Sequence, residues 1–349
     1  MKNNIISSII LSTALLSMGL SSCSKDEPTL NAPTPTANFT YNILTPTSYA
    51  APQNLELINT SASSTGAYWY IPDIGATGDN YIFSVDTAKV TIMFAGDYEV
   101  KMLAGGPGGL SDTIRQTIKI EKDNPYAVDP DGIMGVLTGA GLGLEQRTWI
   151  PYRVVNSVIV YDTYDNALNV IDGKGGPWWA FGPGEIAQGT GREGYLDDKY
   201  TFTFGKIGQF IYNDNNTIYL DQGGSGWTAA LPAPWNSFGG TTSSTDLFNL
   251  VPALKPWTSG TFGYSISPAP AGAMKLGTIT VNGTGAHMGL PDKTNSGDMT
   301  TSITVNSIKY DVLRIVMDAV DDSGTHFDMI VIGVQEPGLV WTYMFRSNR

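Results

Sequence analysis

Two groups of carboxylates are the sequence's best material for acid–base chemistry. Glu185, Glu193, Asp197 and Asp198 lie close together along the chain, and Asp318, Asp321, Asp322 and Asp328 form a second group. Glycoside hydrolysis needs two carboxyl groups facing each other across a cleft, roughly 5 to 10 Å apart. They are commonly delivered by a strand of alternating acids, and no Glu-x-Asp-x-x-Glu strand occurs here. A turn, Asp321-Asp322-Ser323-Gly324, accounts for the second group. Carboxylates on such a turn can also hold calcium, but the EF-hand spacing is missing, and no metal ligand is assigned. The two histidines, His287 and His326, stand neither beside a nucleophile elbow nor in a His-x-x-x-His pair. Each reads as a packed or surface histidine. The glycines from Gly105 to Gly109 do not open a helix, so a phosphate cradle is not supported. No catalytic residue and no cofactor follow from these patterns. Should the chain be an endo-acting glycosidase, Glu185 and Glu193 are its suspect acids.

What remains is aromatic. Trp178, Trp179, Phe181, Trp227, Trp235 and Trp257 all fall in glycine- and proline-rich sequence rather than in alternating strands. Large apolar rings left on a surface mark interaction sites. Sugars present flat C–H faces that pack on such rings, while Asp, Asn and Gln reach their hydroxyls. For any one of these residues, plugging a core or pinning a loop is as good an account as binding. For the set, at least one exposed binding ring is expected. At roughly 1 kcal/mol per ring, three or four give weak affinity, which repetition along a polymer multiplies.

These loops need a scaffold, and the chain's pattern supplies sheets. Period-two alternation dominates, with no helical period sustained over three turns. Val90, Ile92 and Phe94 share one strand face, and Tyr98, Val100 and Met102 share the next, with Ala95-Gly96-Asp97 as the expected hairpin turn between them. Ile114, Ile118 and Ile120 line a closing strand. Further on, Tyr200, Phe202 and Phe204 alternate, then Phe210 and Tyr212, and finally Leu339, Trp341, Tyr343 and Phe345. Residues 123–143 read as a linker, and the long segments 172–194 and 221–262 as loops that carry binding residues.

Composition and the N-terminus bound the setting. Twenty Lys and Arg against 32 Asp and Glu leave a net charge of −12. An acidic chain without a basic block repels phosphate backbones, so nucleic acid is excluded as a partner. Residues 1–22 read as a signal peptide: Lys2, an apolar stretch too short for a membrane span, then Leu20-Ser21-Ser22 before Cys23. Cys23 is the only cysteine, which leaves no disulfide or zinc cluster and makes it the expected lipid attachment site. Residues 23–37 are then anchor and proline-rich spacer.

Several motifs resemble known families. Ser24-Lys25-Asp26-Glu27 resembles the signal that sends Bacteroidetes lipoproteins to the outer face of the outer membrane. Residues 38–122 resemble the PKD family, an immunoglobulin-like sandwich: Ala37-Asn38-Phe39-Thr40 opens it, Tyr68-Trp69-Tyr70 stands at the core tryptophan strand, and Ala95-Gly96-Asp97-Tyr98-Glu99-Val100 matches the Gly-x-Tyr-x-Val strand. Residues 144–349 resemble the glycan-binding domain of Bacteroidetes surface glycan-binding lipoproteins. That likeness rests on Trp149-Ile150, Pro177-Trp178-Trp179-Ala180 with Gly182-Pro183-Gly184-Glu185, Gly194-Tyr195-Leu196-Asp197-Asp198-Lys199-Tyr200-Thr201-Phe202, Gly285-Ala286-His287-Met288-Gly289-Leu290-Pro291 and Trp341-Thr342-Tyr343-Met344-Phe345. The resemblance implies an all-β chain, a PKD-type sandwich followed by a larger jelly-roll-like β-sandwich. It implies capture, without cleavage, of a β-glucan of laminarin or mixed-linkage type. Tyr195 joins the tryptophans and Phe181 as an expected ligand-binding residue. It further implies delivery to an outer-membrane importer and neighbouring hydrolases. A structural or adhesive surface protein is the remaining alternative.

Overall fold

The computed structural model describes residues 32–74, 80–220, 239–291, 293 and 303–349. It is mostly β-strand in sandwich-like sheets with few and short helices. Among the described residues no helix is long and apolar enough to cross a membrane.

The N-terminal unit packs two sheets around one core. Strands β1 (Phe39–Ile43), β2 (Leu55–Asn59) and β5 (Thr87–Val90) form one sheet. The other contains β3 (Gly66–Ile71), β4 (Tyr81–Ser84), β6 (Gly96–Gly106), β7 (Gly109–Leu110) and β8 (Ile114–Ile120). Trp69 is buried and donates its indole N–H to the Val85 carbonyl at 2.8 Å, with Phe39 edge-on at 5.2 Å. The hairpin expected at Ala95-Gly96-Asp97 is absent. β5 pairs with β2 and β6 with β3 and β8, so this corner crosses between sheets. Asn54 takes the place of a strand partner there, accepting from the Ile92 amide and donating to the Ile92 carbonyl. The Tyr98 hydroxyl donates to the Phe94 carbonyl at 2.8 Å, the tyrosine corner of such sandwiches.

Residues 125–143 are ordered. Helix α1 (Ile133–Thr138) starts after Gly132 and stops at Gly139, which takes φ 77°. Its Val136 and Leu137 belong to the second core, and the Leu137 carbonyl accepts the Trp149 indole N–H at 2.8 Å. Phe94 of the first unit, Val128 and Ala140 of this segment and Phe204 of the second unit share a small apolar cluster.

The second unit has a ten-stranded antiparallel sheet that folds over on itself. In chain order its strands are β9 (Gln146–Pro151), β10 (Ile159–Asp162), β11 (Trp179–Ala180), β12 (Lys199–Thr203), β13 (Gln209–Asn213), β16 (Gly260–Pro268), β17 (Gly277–Asn282), β18 (Ser307–Val320), β19 (His326–Glu336) and β20 (Leu339–Asn348). A separate ribbon joins β14 (Thr217–Leu220) and β15 (Gly240–Ser243). The lower half of β20 pairs with β9, through Phe345–Pro151 and Arg346–Ile150, which closes a ring. Its upper half pairs instead with β10, and β11 extends the sheet beyond. Closure over the lower half covers the edge of β9, while β11 remains an edge strand of only two residues.

One end of the ring is sealed by α1 and a buried ion pair. Arg147, 3 % exposed, donates to Asp328 at 2.5 Å, to the Ser347 hydroxyl and carbonyl, and to the Val136 carbonyl. The other end receives residues 284–291 and 293, where tyrosine hydroxyls bond three backbone groups. Tyr310 accepts from the Met288 amide, Tyr200 accepts from the Gly289 amide, and Tyr343 donates to the Lys293 carbonyl. Gly285 permits the insertion: at φ 87° a Cβ would lie 1.8 Å from the Pro256 carbonyl oxygen.

Candidate functional site

The platform begins with register. Trp179 on β11 lies opposite Tyr161 on β10, which lies opposite Trp341 on β20. Directly opposed residues share a sheet face, so three rings stand in a row on the inner face. On the outer face Val160 and Val340 are covered by Ala167 and Val170 of helix α2 (Tyr164–Ile171). Because β10 and β11 lie beyond the closure by β9, the outermost ring of this row, Trp179, meets solvent.

Trp341 stacks on Tyr161 at 4.4 Å, and Tyr161 stacks on Trp178 at 5.3 Å. Trp179 stands edge-on to Trp341 at 5.3 Å and to Phe181 at 5.5 Å. Exposure is 67 % at Trp178 and 37 % at Trp179, against 7 % at Tyr161 and 3 % at Trp341. Two solvent-facing indoles therefore rest on a buried aromatic foundation. The Trp341 indole nitrogen is buried without a hydrogen-bond partner among the described residues.

Asp162, the last residue of β10, fixes the loop that carries Trp178. Its carboxylate accepts from the Trp178 amide at 2.7 Å, from Asn166 at 2.6 Å and from the Thr163 amide at 2.7 Å. Burial pushes this carboxyl up, but the bonds from Trp178, Asn166 and Thr163 outweigh it and the net shift is downward. An ionised acceptor so engaged orients Trp178; it is not a proton donor.

The suspect acids are used locally. Glu185 accepts the Gly182 amide at 2.9 Å, closing the first turn of α3 (Pro183–Ile186). Glu193 opens α4 (Glu193–Leu196) and accepts from the amides of Gly189, Thr190 and Gly191. Burial raises its carboxyl, yet those amides and its own bring the net shift down. Asp197 pairs with Arg153 at 2.6 Å. Asp198 is buried and accepts from Tyr200 and Tyr212 at 3.0 and 3.1 Å. Burial raises its carboxyl well above the usual range. In the second group, Asp321 is held at about 2, chiefly by the Ser323 hydroxyl and the Thr325 amide. Asp328 joins the Arg147 pair, and Asp318 meets the exposed His326 at 2.7 Å. His287 is fully buried against Tyr212 and Trp257, and burial lowers its pKa to about 4.

The expected binding residues thus divide. Trp178 and Trp179 form the platform. Phe181, Tyr195 and Trp257 are corrected to core: each is at most 1 % exposed. Phe181 lies two residues deeper than Trp179 on the same face, within 6.1 Å of Tyr195. Trp257 donates to the Ile303 carbonyl at 2.9 Å and abuts the inserted segment at Gly285. Neither these three nor Trp341 can offer a whole ring face to a ligand. Trp227, Trp235 and Cys23 lie outside the described residues. Sequence reasoning missed Tyr161 and Asp162; their pairing with Trp178 depends on a loop return that no local pattern reports.

No family model matches the chain, and no curated protein matches it. One similar solved structure comes from work on the promiscuous specificity of carbohydrate-binding modules of the β-sandwich superfamily. The match covers 90 % of this chain and 92 % of that one at 14 % identity, with a TM-score of 0.20. At that score nothing about the other protein's ligands transfers to this chain.

Proposed function

We propose that this chain is a non-catalytic polysaccharide-binding protein that holds its ligand on Trp178 and Trp179. The observation that carries the reading is the aromatic foundation: Trp178 is two-thirds exposed yet stacked on Tyr161 and pinned by Asp162. A ring kept exposed but immobile loses little entropy on binding. In finer terms the ligand is a β-glucan of laminarin or mixed-linkage type, following the motif resemblance. On the same basis the chain is a surface-exposed outer-membrane lipoprotein anchored through Cys23, with the N-terminal sandwich as spacer, passing glycan to an importer and hydrolases. Binding is favoured over hydrolysis because both suspect acids are engaged locally, Glu185 by the Gly182 amide and Glu193 by the amides of Gly189, Thr190 and Gly191.

Residues 24–349 run through native gels containing laminarin, barley β-glucan, xylan or mannan, beside a reducing-sugar assay, test this. Retardation without released sugar is the expected result and names the glycan class. Migration unchanged in every gel sinks the capture reading in favour of an adhesive role, and released sugar makes the chain an enzyme.

A further inference from the structure

On the outer face of the second unit, away from the tryptophan platform, lies a cleft of about 660 Å³. Its floor follows from register. Arg346 on β20 is opposite Ile150 on β9, and Tyr200 on β12 is opposite Trp149, which brings Lys199 opposite Ile150. Lys199 and Arg346 therefore flank Ile150 on one face, about 10 Å apart at the usual strand spacing. Arg153 is a third cation on the wall, and Asp197 is the one acid among the lining residues. Asp197 pairs with Arg153 and Asp321 with Arg346, so the local excess is the one positive charge of Lys199, an anion-attracting feature in a chain of net −12.

The cations are differently engaged. Arg153 is neutralised by Asp197 at 2.6 Å. The Lys199 ammonium has no ion pair or hydrogen bond among the described residues. Arg346 is held rigid, its guanidinium 4.2 Å from the Phe327 ring and 5.2 Å from the Tyr152 ring. Its ion pair with Asp321 and its bond to Asn348 both use Nη2, which leaves Nε and Nη1 without a bond among the described residues. A pre-positioned guanidinium and a free ammonium on opposite sides of a cleft match a carboxylate. The remaining wall joins apolar Ile150 and Leu196 to the amide of Asn215, which suits a ring bearing hydroxyls. The volume falls within the range of small-molecule sites.

We infer that this cleft binds an acidic sugar residue, a uronate, by its carboxylate between Lys199 and Arg346. The site is separate from the Trp178 platform and does not depend on it.

The test is calorimetry of the full chain in detergent with digalacturonate, with its neutral counterpart 4-linked digalactose, and with inorganic phosphate as competitor. Digalacturonate is expected to bind and digalactose not, with affinity falling several-fold between 50 and 500 mM NaCl. Lys199→Glu, an exposed change that leaves the core untouched, is expected to weaken binding at least tenfold, as is Arg346→Gln, while Trp178→Ala leaves it unchanged. Any of four results overturns the inference: no binding of digalacturonate, equal binding of the neutral disaccharide, full affinity in Lys199→Glu, or displacement by equimolar phosphate.

Discussion

Replacing Trp178 by alanine should remove ligand affinity while sparing the fold. With two-thirds of the residue open, one indole face is available, and a pyranose covers roughly 80 Å² of it. At about 25 cal/mol per Å² this is about 2 kcal/mol, a loss of roughly 30-fold in Kd. The fold loses only the Tyr161 stacking, about 1 kcal/mol, which lowers Tm by about 2–4 °C in a unit of this size. Trp341→Ala is the contrasting control. That ring is 3 % exposed, and truncating a buried tryptophan costs about 3–5 kcal/mol. Calorimetric titration with the glycan identified by gel retardation, paired with thermal melts of both variants, reads the two effects separately. Undiminished affinity in Trp178→Ala refutes the platform, and so does a loss of affinity no larger than its loss of stability.

Asp162→Asn should weaken glycan binding several-fold with little change in Tm, because the Trp178 amide loses a charged acceptor; since the folded carboxyl is depressed, wild-type affinity should be flat at neutral pH and fall only as pH drops through that lowered value. His287, held at about 4 against an ordinary 6.5, takes up protons in the unfolded chain first, so its contribution of about 3 kcal/mol is fully present above pH 6.5 and lost as pH falls to 4. Asp198, raised by burial, acts in the opposite sense from the ordinary aspartate value upward, so the measurement is the difference in denaturant stability between wild type and His287→Gln across pH 4–7; parallel profiles would contradict the assignment. Arg147→Ala should cost about 3–5 kcal/mol by stranding buried Asp328, read as a lower urea midpoint; a change under about 1 kcal/mol would show that Arg349, which also bonds Asp328, suffices alone.

The strands were legible where alternation is local. Tyr98, Val100 and Met102 are buried on one face of β6, and Tyr200 and Phe202 on one face of β12. What defeated local reading was partner choice. The Val90 to Phe94 run alternates as a hairpin arm would, but Asn54 supplies the hydrogen bonds of Ile92, and β5 goes to the other sheet. Helix α1 was hidden because a six-residue helix bounded by Gly132 and Gly139 is too short to show a period. Among the aromatics, glycine- and proline-rich context marked loops correctly but could not separate loops that fold inward from those that stay out. Trp257 and Trp178 look alike in sequence, yet one sits under the inserted segment at Gly285 and the other stands in solvent.

The alternation of a strand lets one element serve two chemistries. On β20, Trp341 faces inward beneath the tryptophan platform, while Arg346, five residues on, faces outward into the cationic cleft. The two faces answer differently to salt. Stacking of a neutral sugar on an indole involves no net charge, so raising NaCl from 0.05 to 0.5 M should leave platform binding unchanged. Attraction between a uronate and the exposed Lys199 is screened over a Debye length of about 10 Å at 0.1 M and should weaken over the same range. A polymer carrying both neutral and acidic residues would then show biphasic salt dependence, with Trp178→Ala removing the insensitive phase and Lys199→Glu the sensitive one. A single phase abolished by either change would mean that the two faces act as one site, which their placement on opposite sides of the sheet forbids.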